Sequence, residues 1–242
     1  MIPIVKREPP EVLTNKQAIA QERGLNAKES YDLLNHHDKQ IILQQLMEEQ
    51  GHLCAYCMRK IPDKRELPET VDAVTIEHWF PRSPQSGEER GQGLDYKNML
   101  AVCSGNRGRR RTRKPRDLTC DAKRTKTHPQ LTLNPCEPAS LDGILYKEDG
   151  IMYSLDANIQ DDITVKLNLN CISDGVQLPE MRKKSLETLQ SALPIDDEAH
   201  MLEFCREILT MLENESDPKT EYSGILIWWL KDFLKQSTIN AH

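Results

Sequence analysis

Cys54, Cys57, Cys103 and Cys120 constrain what this chain can fold into more than any other of its residues. In "HLCAYCMRKI" two cysteines stand two residues apart, the spacing from which a tight turn grips one zinc ion with two thiolates. The other two flank a strongly basic stretch, and together the four make a closed structural zinc site of four thiolates. Sixteen residues separate Cys103 from Cys120 where a regular knuckle has two, so the basic stretch reads as an insertion into the knuckle itself. Cys136 is the alternative to Cys120 as fourth ligand. Cys171 and Cys205 lie in apolar contexts, where a reduced cysteine behaves as a small core residue. The opening "MIPIVKREPPEVLT" lacks the apolar stretch of a signal peptide, which weighs against a disulfide framework and leaves metal binding as the explanation for the cysteines.

At 242 residues the chain suits one domain with appendages or two small ones. Charged residues make up 29% of it, and no apolar run reaches the roughly 18 residues a membrane span needs, so a cytoplasmic protein with no membrane partner is expected. The net charge of −6 hides an asymmetry: residues 107–126 hold ten Lys or Arg against two Asp, and the other 222 residues sum to −14. Clustered cations of this kind neutralise phosphates and release their counterions. Arg107, Arg109, Arg110, Arg111, Arg113 and Lys114, with Lys123 and Arg124 beyond them, are therefore the candidate nucleic-acid contacts. A solvated loop is the alternative for such a run.

Periodicity divides the chain. Residues 15–50 read as helices, with Leu33, Leu34, Ile41, Ile42, Leu46 and Met47 at helical spacing and Gly51 ending the run. "DAVTIEHW" alternates as a short strand and Pro81 breaks it; "LDYKNMLAVC" is a loop leading into a second short element. A helix begins near Cys120. "GILYKEDGIMYS" reads as a hairpin turning at Asp149-Gly150, and three helices follow over about 177–193, 196–214 and 223–236. The segments expected are 1–50 helical, 51–140 with the cysteines and the basic stretch, 141–175 hairpin and connector, and 176–242 helical. In the last, Ile225, Trp228, Trp229 and Phe233 form an apolar stripe that reads as core before it reads as a docking surface.

Between the two cysteine pairs lie Glu77-His78, in "TIEHWFPRS", and Asn98, in "YKNMLAVC"; Asp121 directly follows Cys120. A carboxylate takes a hard metal ion and a neutral imidazole takes a proton, so these types suit metal-dependent hydrolysis. Their order resembles the HNH endonuclease family over about residues 50–126. The phrases "EQGHLCAYC", "IEHWFPRS", "YKNMLAVCSGN" and "CDAKRT", with "LNLN" later, are most similar to the PtuB-type nucleases of Septu and retron-associated antiphage systems. Three departures stand out: Glu77 replaces the usual aspartate, Asp121 replaces the usual histidine or asparagine, and Asn98 is one residue nearer its cysteine. Both replacements remain hard oxygen ligands.

The resemblance implies an α+β fold: a small ββα-metal core with a zinc knuckle, embedded in mostly helical N- and C-terminal regions. It implies that Glu77 and Asp121 hold one catalytic Mg²⁺ or Mn²⁺, that His78 is the general base and that Asn98 holds its ring, while the zinc is structural. It further implies an ATPase partner of the ABC or SMC-like type, joined in retron systems by a reverse transcriptase and its RNA–DNA product. No G-x-x-x-x-G-K-[ST] motif occurs, so nucleotide control would come from that partner. DNA is the expected substrate; a nuclease for structured RNA such as tRNA is the nearest rival, and a noncatalytic zinc-knuckle module that binds nucleic acid is the rival of another class. His128 is a further candidate for contact with metal or phosphate. If the arginine run holds a backbone, replacing Arg109, Arg110, Arg111 and Arg113 with Ala should weaken duplex binding evenly across sequences. Each lost phosphate contact should remove about 0.9 from the log–log salt slope, and an unchanged slope in a salt titration would reassign the run to docking on a partner.

Overall fold

The computed structural model describes residues 1–62, 74–82, 93–106, 115–124, 130–173, 176–195 and 197–240. Three helices open the chain: α1 (Glu11–Arg23), α2 (Ala27–Asp32) and α3 (His36–Glu49). Asn26 and Asn35 start α2 and α3 with reciprocal capping boxes, each accepting from the backbone N–H of an acid three residues on, Glu29 and Asp38, whose carboxylate accepts in return. These caps satisfy orphan donors at two closely spaced helix starts and so fix the sharp turns between the helices.

Ile42, Leu46 and Met47 of α3 are buried where the helix packs on the antiparallel pair β1 (Val74–His78) and β2 (Met99–Cys103). The register sets His78 opposite Met99 and Val74 opposite Cys103. All of β2 is buried, which fits its unbroken apolar run; β1 is half-buried over Val74, Thr75 and Ile76 and buried at Glu77 and His78. Gln50, just past α3, joins helix to sheet. Its side-chain amide donates to the Ala101 carbonyl at 2.7 Å and its oxygen accepts from the Ala101 N–H at 2.9 Å, so one glutamine mimics a strand partner for β2.

A short helix, α4 (Cys120–Lys123), follows, and then α5 (Pro138–Leu141). The expected hairpin is present as β3 (Leu145–Tyr146) and β4 (Met152–Tyr153). Helix α6 (Ala157–Asp161) runs into a π turn at Asp162–Lys166, and a second small hairpin, β5 (Ile172–Ser173) and β6 (Val176–Gln177), leads to α7 (Leu178–Ser191), α8 (Glu198–Asn214) and α9 (Ser223–Asn240). The architecture is α+β, with short antiparallel pairs among helices. No helix among the described residues is long and apolar enough to cross a membrane.

One apolar core runs from Ile4 to Leu230 and draws on every one of these segments. In the apolar stripe of α9, Ile225 is fully buried while Trp228, Trp229 and Phe233 are half-buried against that core. The C-terminal helices meet the first cysteine turn through backbone: the Tyr222 N–H donates to the Met58 carbonyl at 3.1 Å, and the Lys60 N–H to Glu221 at 2.9 Å. Arg182 of α7 is 1% exposed, and its guanidinium donates to the Gly150 carbonyl, the Leu169 carbonyl and the Asn170 side-chain oxygen at 2.7, 2.9 and 2.8 Å. It thereby ties both hairpins to the helical region. Arg182→Ala takes the donor from the buried Gly150 and Leu169 carbonyls, while the Asn170 oxygen keeps the Met152 N–H, a loss of about 2 kcal/mol or more at 1–3 kcal/mol each; urea unfolding should show a lower midpoint with an unchanged slope.

Candidate metal centre and active site

The first cysteine turn is a small hairpin of its own. Leu53 bridges Lys60, the Cys54 N–H donates to the Arg59 carbonyl at 2.9 Å and the Met58 N–H to the Cys54 carbonyl at 3.0 Å; Met58 takes φ +60° at the corner. A matching turn follows β2, where Gly105 and Asn106 take φ +52° and +73°. Asn106 stands where the second cysteine of a regular knuckle would stand, and its amide donates to the Asp117 carbonyl instead. The missing sulfur arrives from Cys120. A Cβ at position 105 would lie 2.2 Å from the Thr119 carbonyl oxygen, so glycine there lets the two segments close.

Cys54, Cys57, Cys103 and Cys120 are all buried and unbonded, with their sulfurs within 4.8 Å of one another. Three of the pairs, 54–120, 57–103 and 103–120, are 3.8 Å apart. A disulfide needs about 2.05 Å, whereas a tetrahedron with Zn–S bonds of about 2.3 Å has edges of about 3.8 Å. The cluster therefore fits zinc. Cys120 takes φ +53°, a left-handed conformation that costs a side-chain-bearing residue about 1–2 kcal/mol and is held here by its N–H on the Leu167 carbonyl at 2.8 Å. Arg59 donates to the Cys103 sulfur at 3.3 Å, a second-layer contact suited to a thiolate. Cys136 stays outside, half-buried; Cys171 and Cys205 are core residues.

The same packing buries Glu77, His78, Asn98 and Asp121 and brings Glu77 against Asp121. Neighbours on a strand face opposite ways: Glu77 turns toward α4, where it is hydrogen-bonded to Asp121, and His78 toward α2, where its ring meets Tyr31 edge to face at 4.9 Å. Burial holds the Glu77 carboxyl well above the usual carboxylate range, and the charge of Asp121 adds to this against the opposing pull of Arg124. Burial likewise lowers His78 to about 4, helped by the charge of Arg82. His78 Nε2 lies 3.0 Å from the Gly93 carbonyl oxygen, which accepts only, so Nε2 carries the ring proton and Nδ1 the lone pair. Gly93 has room for no side chain: a Cβ would sit 1.8 Å from the Ala27 carbonyl oxygen.

Two expectations need correction. Asn98 does not hold the His78 ring; its side chain accepts from the Phe80 N–H at 2.6 Å and donates to the Phe80 carbonyl at 2.9 Å, while its own carbonyl accepts from Trp79. It pins the turn after β1, and the Gly93 carbonyl takes the ring. Arg124 does not face outward for phosphate; it is 5% exposed, ion-paired with Glu77, and donates to the His78 and Trp79 carbonyls at 3.2 and 3.3 Å. Lys123 is half-buried. Arg107, Arg109, Arg110, Arg111, Arg113, Lys114 and His128 lie outside the described residues. The parts that sequence reading missed, the Gly93 carbonyl and Gln50, are backbone and amide contacts that residue type does not mark. Comparison with models of known protein families and with curated proteins finds no match for this chain.

If the sulfurs hold zinc, Cys54→Ser or Cys120→Ser should lower zinc content and thermal stability together, because binding free energy at such a site is folding free energy. Cys136→Ser should leave both unchanged. Elemental analysis of the purified proteins distinguishes these outcomes.

Proposed function

We propose that this chain is a metal-dependent endonuclease of the ββα-metal (HNH) kind that hydrolyses phosphodiester bonds of nucleic acid, DNA before RNA. The observation that carries the reading is the buried contact of Glu77 with Asp121, from β1 and α4, beside a four-sulfur cluster, with His78 buried next along β1 and its ring on the other face of the strand within range of the Asp121 charge. A binding module has no use for two buried carboxylates in contact and a buried imidazole next to one of them in the chain. The reading extends to an effector of antiphage defence working with an ATPase partner; the support there is the resemblance of the motifs alone.

In the mechanism His78 is the proton acceptor. The Gly93 carbonyl fixes its tautomer, and Nδ1 takes the proton of the attacking water. Asn98 keeps the turn at Trp79 and Phe80 rigid, which sets where the ring stands. The donor set of Glu77 and Asp121 fits a hard cation, and these two residues would hold Mg²⁺ or Mn²⁺. When bound, such an ion offsets charge on the phosphate and on the leaving 3′ oxygen, giving 5′-phosphate and 3′-hydroxyl ends. The sulfur cluster does no chemistry; it holds α4 against β1.

One observation favours a second reading, a noncatalytic zinc module: Arg124 already supplies Glu77 with a cation, as in a purely structural ion pair. Cleavage assays separate the two. His78→Ala and Asp121→Ala should each lose Mg²⁺-dependent cleavage of DNA by about 100-fold or more, as expected for removal of a general base or a metal ligand. Zinc content and melting temperature should stay at wild-type values. Full activity in a well-folded His78→Ala protein would remove the mechanism.

A further inference from the structure

A second cluster stands on the helical side of His78, made of residues with no role so far. The Tyr31 ring, edge-on to His78, carries two cations: Arg82 Cζ lies 4.1 Å from its centroid and Lys39 Nζ 4.7 Å. Three separate segments supply them, α2, α3 and the turn after β1. All three residues are half-buried, so their inner sides are held by the fold while their outer sides meet solvent.

The charges around this ring do not balance. Asp32 is paired with Lys28 at 2.7 Å, and Asp38 with Lys16 at 3.5 Å while it also caps α3. Among the described residues, Lys39 and Arg82 have no carboxylate within ion-pairing distance. Two like charges drawn onto one ring repel each other, and the ring offsets only part of that. Among the described residues, what the pair lacks is a directly paired carboxylate; Asp32, itself bonded to Lys28, acts on both only at longer range. The pair stands within one ring's width of the candidate base, in a chain whose residues outside 107–126 sum to −14.

We propose that Lys39, Arg82 and Tyr31 form a phosphodiester clamp. Lys39 and Arg82 are positioning residues for backbone phosphates of the strand that reaches His78, and Tyr31 is the platform that sets their spacing. The inference rests on the nuclease reading for its substrate. Phosphate is favoured over an acidic peptide because a guanidinium fork matches two phosphate oxygens in one plane and the ammonium adds a point charge beside it. The clamp would also explain why α2 and α3, which carry no ligand, are capped so firmly against β1.

The test uses the full chain and short labelled probes of one sequence, as duplex DNA, single-stranded DNA and RNA, with no divalent ion added. The double variant Lys39→Gln/Arg82→Gln should bind all three more weakly by about tenfold or more, and its log–log salt slope on the duplex should fall by about 2, roughly one per phosphate contact. Tyr31→Ala should weaken binding with the slope only partly reduced. The charge-keeping pair Lys39→Arg/Arg82→Lys should restore the slope, which a structural role would not predict, and KM for cleavage should follow affinity. Zinc content verifies folding. If the double variant binds as tightly as wild type with the same slope, the clamp is wrong, and so is it if wild type binds none of the probes. Weakened binding in the double variant, with His78→Ala as active as wild type or with no cleavage by wild type, supports the clamp and sinks the nuclease reading instead.

Discussion

Four sulfurs meeting within 4.8 Å is the contact on which the rest of the molecule turns, because it joins three stretches of chain at one point. Cys54 and Cys57 come from the hairpin after α3, Cys103 from the end of β2, and Cys120 from the start of α4. Paired four-sulfur geometry leaves each stretch one position. Gln50 and the Ala55 N–H then lock the hairpin to Ala101 of β2, so any shift of the sulfurs would be felt along the strand that His78 and Glu77 pair with. Fixing the cysteines fixes the distance from β1 to α4, and with it the contact between Glu77 and Asp121.

Much of this was legible from sequence, and for physical reasons. The β1 and β2 strands, the hairpin at Asp149-Gly150 and the three C-terminal helices follow from periodicity and turn chemistry, which are local. The sulfur cluster followed from spacing, since a two-residue gap between thiols has few uses. The order of the cysteines favoured Cys120 and left Cys136 as the alternative, and the four-sulfur cluster contains Cys120; what decides between them is not local. It depends on a left-handed residue and on Asn106 closing the turn where a cysteine would otherwise stand, and both are decided by tertiary closure. Asn98 was recognised as important and given the wrong partner for the same reason: an amide's partner is set by the path of the chain. Arg124 looked like one more cation in a basic run, and only the fold shows it turned inward onto Glu77.

The cations then fall into two groups with opposite tasks. Arg59, Arg124 and Arg182 are turned inward, each answering sulfur, carboxylate or carbonyl groups that burial would otherwise leave unpaired. Lys39 and Arg82 are held at the boundary by an aromatic ring in place of an acid. That difference has a consequence for binding. A cation already paired with a carboxylate must give it up to take a phosphate, whereas one resting on a ring can hold both.

The carboxylate pair carries the last constraint. Two carboxylates in contact inside a low-dielectric interior oppose each other's ionisation, and burial adds to this at Glu77. Arg124 supplies one positive charge to Glu77, yet burial and the charge of Asp121 still outweigh it, and the Glu77 carboxyl stays well above its ordinary range. One guanidinium therefore offsets only part of the cost of burying the pair. On the proposed reading, a divalent ion held by Glu77 and Asp121 would supply further positive charge and would compete with Arg124 for the Glu77 carboxylate. Because the His78 and Trp79 carbonyls already hold the other side of that guanidinium, on the same reading its room to move there would limit how well the two carboxylates hold a cation.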